Sequence, residues 1–197
     1  MAECIELRAL RADAAGEDFA VARVLRKRDA AGGEILQADW RVAEIYIERP
    51  DDLQMLWHGG PKTLLHGDTH IGNVFFDHGR TGFLDWGIMN VNTPMRELSY
   101  FLTMALTPDD RRANERELIE LYLGRWNAGG GEPISFDEAW TAHRIHAAYT
   151  VPASCQVVMF PEAVSERRRI FADAFLDRAQ QSLDDLDALG ALRARGF

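Results

Sequence analysis

Between Thr63 and Trp86 a chain that elsewhere shows helical periodicity turns to short β-forming runs, and this switch constrains the fold most. Thr63-Leu64-Leu65 and Val74-Phe75-Phe76 read as strands, and Thr81 to Trp86 as a third. The turn Asp77-His78-Gly79-Arg80 joins the last two as a hairpin. Three runs this short build no large sheet. The expected fold class is therefore α+β, mostly helical, around a small hairpin.

The helical part is well marked. Residues 1–48 carry apolar residues at helical spacing, broken near Gly16 and Gly32-Gly33. Pro50 and Asp51-Asp52-Leu53 open a short helix through Trp57, stopped by Gly59-Gly60-Pro61. Leu98, Phe101, Leu102, Ala105 and Leu106 form one apolar stripe. Thr107-Pro108 starts a helix that runs through Trp126 to the glycines at 129–131. Ser135 with Glu138 is a capping-box pattern, opening a helix expected to reach Tyr149 with a kink at Pro152. A last helix is expected over about 162–188.

Composition narrows the class of protein. At 197 residues, 47% hydrophobic and 27% charged, the chain is sized and composed for one globular domain. It divides into a helical lead-in (1–60), the strand and hairpin segment (61–92) and a helical subdomain (93–197). A net charge of −9 argues against a nucleic-acid partner, and the consecutive Arg167, Arg168 and Arg169 point in different directions on a helix, as solvated residues do. No apolar run approaches the roughly 20 residues of a membrane span, and Met1-Ala2-Glu3-Cys4 starts no signal peptide. Cys4 and Cys155 make no disulfide framework and read as reduced thiols of a cytoplasmic protein.

The chemistry is concentrated in LLHGDTHIGNVFFDHGRTGFLDW, from Leu64 to Trp86, which holds His66, Asp68, His70, Asn73 and Asp85. Asp68 and Asn73 share the loop between two expected strands, and Asp85 ends the hairpin. Phosphoryl transfer needs such a set: a carboxylate to accept the proton of an attacking hydroxyl, and a carboxylate with an amide oxygen to hold magnesium against the phosphates. The spacing H-x-D-x-x-x-x-N, then Asp-aromatic-Gly, matches the catalytic loop and metal segment of protein kinases.

His66-Gly67-Asp68-Thr69-His70-Ile71-Gly72-Asn73 followed by Leu84-Asp85-Trp86 resembles the motifs of the aminoglycoside phosphotransferase and choline kinase group. Pro94 to Leu102 and Asp109-Asp110-Arg111-Arg112 resemble its bacterial ecdysteroid-kinase-like members. The resemblance implies the carboxy-terminal lobe of a protein-kinase-like fold and an ATP- and magnesium-dependent phosphotransferase acting on a small-molecule hydroxyl. It implies Asp68 as catalytic base, Asn73 and Asp85 as magnesium ligands, His66 as the support of the loop and His70 as a further motif residue, these four on the cofactor-binding side.

Two departures stand beside the resemblance. The family has an amino-terminal lobe that covers ATP and supplies a lysine, whereas the 65 residues before His66 read as helices. Lys27 and Lys62 are the only lysines, and no glycine-rich hairpin precedes Lys27. The lobe is therefore expected to be missing, its place taken by a second copy of the chain or by a lobe in trans; a lobe that binds a ligand and transfers nothing is the alternative. In the family's P-x-x-D-L, Glu97 replaces the aspartate.

Other readings of single residues remain open at this stage. Asp68, Asn73 and Asp85 can be turn residues, and His66-x-Asp68-x-His70, with His58 or His78, can be a hydrolytic metal cluster. His143 and His146 have a zinc-binding spacing but are expected on a helix surface. Trp126, Trp140, Tyr149 and Met159 are expected in the core rather than lining a substrate pocket, and Cys155 as a small buried hydrophobe.

Overall fold

The computed structural model describes residues 37–158 and 165–197, so the expectations placed on 1–36, with Cys4 and Lys27, and on Met159 lie outside the described residues. Two helices lead in, α1 (Gln37–Glu48) and α2 (Pro50–Trp57), the second with Pro50 at its start and acidic residues in its first turn, where the helix dipole favours them. Their apolar faces, Val42, Tyr46, Leu53 and Trp57, are buried against Ile145, Val151, Leu183 and Leu192.

The β segment comprises two separate antiparallel pairs. β2 (Val74–Asp77) and β3 (Arg80–Phe83) form the expected hairpin, in the register Val74↔Phe83 and Asp77↔Arg80. His78 and Gly79 both have positive φ (45° and 76°), the geometry of the tight hairpin turn whose twist suits the strands. The third run is shorter than its sequence suggests: strand geometry stops at Phe83. β1 (Thr63–Leu65) pairs with β4 (Asn90–Asn92), a strand the sequence does not announce, since Asn90-Val91-Asn92 carries a single apolar residue.

Six further helices complete the described core. α3 (Pro94–Ala105) lies nearly buried, and α4 (Pro108–Ala128) is capped by Thr107, whose side chain accepts from the Asp110 N–H. α5 (Phe136–Ala147) opens with both halves of the Ser135–Glu138 capping box. It stops before Tyr149: α6 (Thr150–Val158) is a separate helix. Pro152 has no N–H to offer the Ala148 carbonyl and its ring crowds it, so the chain breaks two residues earlier than the expected end. Cys155 lies on α6. The last expected helix is two, α7 (Glu166–Asp185) and α8 (Ala188–Arg193), with Asp187 in the left-handed region capping the second.

A buried polar chain ties these helices together. Arg111 of α4, 1% exposed, donates to Glu115 at 2.7 Å and also pairs with Asp185 of α7. Glu115 meets His143 Nε2 of α5 at 3.3 Å, and His143 Nδ1 lies 2.8 Å from Ser99 Oγ of α3. The carboxylate can only accept, so the imidazole proton sits on Nε2 and Ser99 donates to Nδ1. His143 and His146 are thus buried, not on the helix surface, because the face they share is the one α5 turns toward α3. Trp140 and Tyr149 pack into the core as expected, and the Trp126 indole donates to the Glu132 carbonyl at 2.7 Å, closing the α4–α5 loop.

Candidate active site

The loop from His66 to Asn73 is fixed at several points before any function is considered. Gly67 has φ +92°, and a Cβ there would lie 2.5 Å from the Ile88 carbonyl oxygen, so only glycine lets the loop pass β4 this closely. Its N–H donates to both carboxylate oxygens of Glu97, at 3.1 and 3.3 Å. Glu97, one methylene longer than the aspartate of the family pattern, still reaches the loop from the first turn of α3.

His66 ties the loop to the hairpin. Its Nδ1 accepts from the Asp68 N–H at 3.2 Å, which leaves the ring proton on Nε2 to be donated to the Leu84 carbonyl at 2.6 Å. The Trp86 ring packs against it, with centroids 4.6 Å apart. The Leu84 N–H donates back to the Asn73 carbonyl at 2.8 Å, so Asn73 and Asp85 flank the same end of the β2–β3 ladder.

Asp68 is half-buried and its carboxylate is held on both oxygens. Oδ1 accepts from the Tyr100 hydroxyl at 3.1 Å, and Oδ2 accepts from Asn73 Nδ2 at 3.2 Å. His70 Nε2 lies 3.5 Å from Oδ2. Because His70 Nδ1 accepts from the Gly72 N–H at 3.0 Å, its proton is on the nitrogen that faces Asp68. The ring itself is walled by Phe171 and Phe175 of α7. Partial burial pushes the Asp68 pKa up, but His70, Tyr100 and Asn73 outweigh it and hold the carboxyl below its ordinary value. Burial and the Asp68 charge push the Tyr100 phenol upward, so it keeps its proton and remains a donor.

Asn73 and Asp85 differ from Asp68 in what they leave unused. The Asn73 amide nitrogen is spent on Asp68, on its backbone oxygen at 2.9 Å as well as its side chain, and among the described residues Oδ1 accepts no hydrogen bond. Asp85 is exposed, and among the described residues its carboxylate makes no hydrogen bond or ion pair. It stands at φ 56°, an unusual conformation for a non-glycine residue and one that clusters at functional sites. Two hard oxygen donors with the remaining positions open is how magnesium is held, its other ligands being water and phosphate. The donor set therefore fits that ion.

The alternative histidine cluster does not form. Among the described residues no three or more His, Cys, Asp or Glu side chains are arranged to hold a metal. His78 sits on the exposed turn beside Asp77, and His58 contacts Arg96. Two members of the site escaped the sequence reading: Tyr100, which looks like one more residue of an apolar helix face, and β4, which closes over Gly67. Among the described residues no helix is long and apolar enough to cross a membrane.

No curated protein and no solved structure matches the chain. The family model described as the phosphotransferase enzyme family, APH, matches residues 2–146, which include the whole loop, the hairpin, Tyr100 and Glu97. With about three quarters of its length matched, the chain belongs to the phosphotransferase enzyme family.

Proposed function

We propose that the chain moves the γ-phosphate of ATP onto a hydroxyl group of a small molecule of the aminoglycoside, choline or ecdysteroid type. The observation that carries this reading is the division of labour around Asp68: Tyr100 and Asn73 orient its carboxylate, while Asn73 Oδ1 and Asp85 leave two oxygen donors unengaged. Asp68 accepts the proton of the acceptor hydroxyl and orients the oxygen for attack. Its lowered pKa keeps it ionised and ready at neutral pH, at the expense of basicity, which suits positioning more than strong proton abstraction. Asn73 and Asp85 are the donors for magnesium, whose charge, when it is bound, offsets the charge building on the phosphates. His66 and His70 hold the loop that carries Asp68.

The proposal also gives a role to the apolar residues beside the site. Leu64, Leu84, Trp86, Ile88 and Val91 are exposed although large and hydrophobic. A cover over the nucleotide, from a second copy of the chain or from an amino-terminal lobe in trans, would bury them. The test is release of ADP from ATP and magnesium, with label transfer to a panel of aminoglycosides, choline and steroid alcohols. Transfer to one class that is lost in Asp68→Asn supports the reading, whereas an unchanged rate in that variant contradicts it.

A further inference from the structure

A cavity of about 390 Å³ lies apart from Asp68, where the end of α2, the start of α3, the α4–α5 loop and the carboxy-terminal residues meet. That volume is within the about 300–1,000 Å³ of small-molecule sites. Leu56, Met95, Ile134 and Ile145 supply the apolar part of a mixed lining. Glu132 and Arg195 also line it, and among the described residues neither side chain makes an ion pair or a hydrogen bond, with each other or with anything else. The third charged residue of the lining, Glu138, is already held by Ser135 at 2.6 and 2.9 Å.

His146 lines the same cavity. Its Nδ1 is fully enclosed and, among the described residues, has no hydrogen-bond partner, a rare condition in a folded protein. Burial, with Arg96 nearby, pushes its pKa down to about 3, so the ring is a neutral hydrogen-bonding group. A partly apolar wall, one unpaired carboxylate, one unpaired guanidinium and a neutral imidazole specify the ligand. A simple cation would be left facing Arg195, and a simple anion Glu132.

We propose that this cavity binds a small zwitterion with an apolar body, its carboxylate on Arg195 and its ammonium on Glu132, beside the His146 ring. The site shares no residue with the Asp68 cluster, and the proposal stands independently of phosphate transfer.

The test is calorimetric titration of the full chain with L-leucine, L-phenylalanine and 6-aminohexanoate, which span short and long charge separations. Leucinamide and N-acetyl-leucine, each lacking one charge, are the counterparts. At least one zwitterion should bind, and each singly charged analogue should bind at least about tenfold more weakly than leucine or not at all. Glu132→Gln and Arg195→Gln, both at exposed positions, should each weaken the bound zwitterion by a similar factor while circular dichroism stays unchanged. In the wild-type chain, where folding is not in question, the His146 ring resonances should move on binding. The proposal is overturned if none of the three zwitterions binds at about 10 mM, well below the affinity of any useful site. It is equally overturned if the analogues bind as well as leucine, if neither substitution weakens binding, or if the His146 resonances stay in place.

Discussion

The phenol of Tyr100 donates to Asp68 Oδ1 at 3.1 Å across 32 positions of sequence, so a helix of the core orients the carboxylate of the His66–Asn73 loop. Tyr100→Phe keeps the ring and removes only this bond. A hydrogen bond to a charged group contributes about 1.5–3 kcal/mol, so kcat should fall roughly ten- to a hundredfold with the KM for ATP unchanged. The Asp68 pKa, now without one of the donors that lower it, should rise, moving the acid limb of the rate profile to higher pH. Steady-state kinetics across pH check both.

The clamp of Glu97 on Gly67 makes a second, separable prediction. Glu97→Ala leaves the Gly67 N–H without its acceptor, costing about 1–3 kcal/mol of stability by the usual penalty for an unpaired, partly buried donor. Glu97→Gln, which keeps an acceptor, should cost less. Gly67→Ala should be worse than either, because the new Cβ would stand 2.5 Å from the Ile88 oxygen at a positive φ. Thermal melts should place Glu97→Gln highest, Glu97→Ala below it and Gly67→Ala lowest.

Much of this architecture is legible in the sequence wherever the cause is local. Asp77-His78-Gly79 dictates a tight turn, Thr107 and Ser135 dictate helix starts, and the spacing from Asp68 to Asn73 fixes two groups on one short loop. What escapes is nonlocal. Tyr100 occupies a helix position that any apolar residue would satisfy, and only the packing of α3 under the loop turns its hydroxyl toward Asp68. His143 and His146 have a spacing that states they share a face but not which way that face turns; the partners that hold His143 inside, Ser99 and Glu115, lie 44 and 28 positions away. β4 is recognisable only from its pairing with β1.

The buried histidines set the pH dependence of stability. Burial lowers the pKa of both His143 and His146, the latter from 6.5 to about 3. The unfolded chain therefore binds more protons than the folded one between those values, and stability falls as pH drops through that window. Glu115, lowered by His143 and Arg111 despite the opposing effect of burial, adds a loss in the same direction below the ordinary carboxylate range. Melting temperature should be highest above about pH 6.5 and decline steadily below it, and His146→Gln should flatten the upper part of that decline.

Leu64 and Val91 face each other across β1 and β4 and are 63% and 67% exposed. If a second copy covers this face, the mass in solution should rise above 22.2 kDa with concentration, and turnover per chain should rise with it. Val91→Lys should suppress both together. Full turnover by a chain that sediments as a monomer at every concentration contradicts the need for a cover.

The central claim is that Asp85 serves the metal and Asp68 the chemistry. Titration of ATP into the wild-type chain, Asp85→Asn and Asp68→Asn, each with and without magnesium, separates the two roles most directly. Magnesium should tighten ATP binding in the wild type and in Asp68→Asn, and that enhancement should vanish in Asp85→Asn. Equal enhancement in all three proteins, or its loss in Asp68→Asn as well, would contradict the assignment.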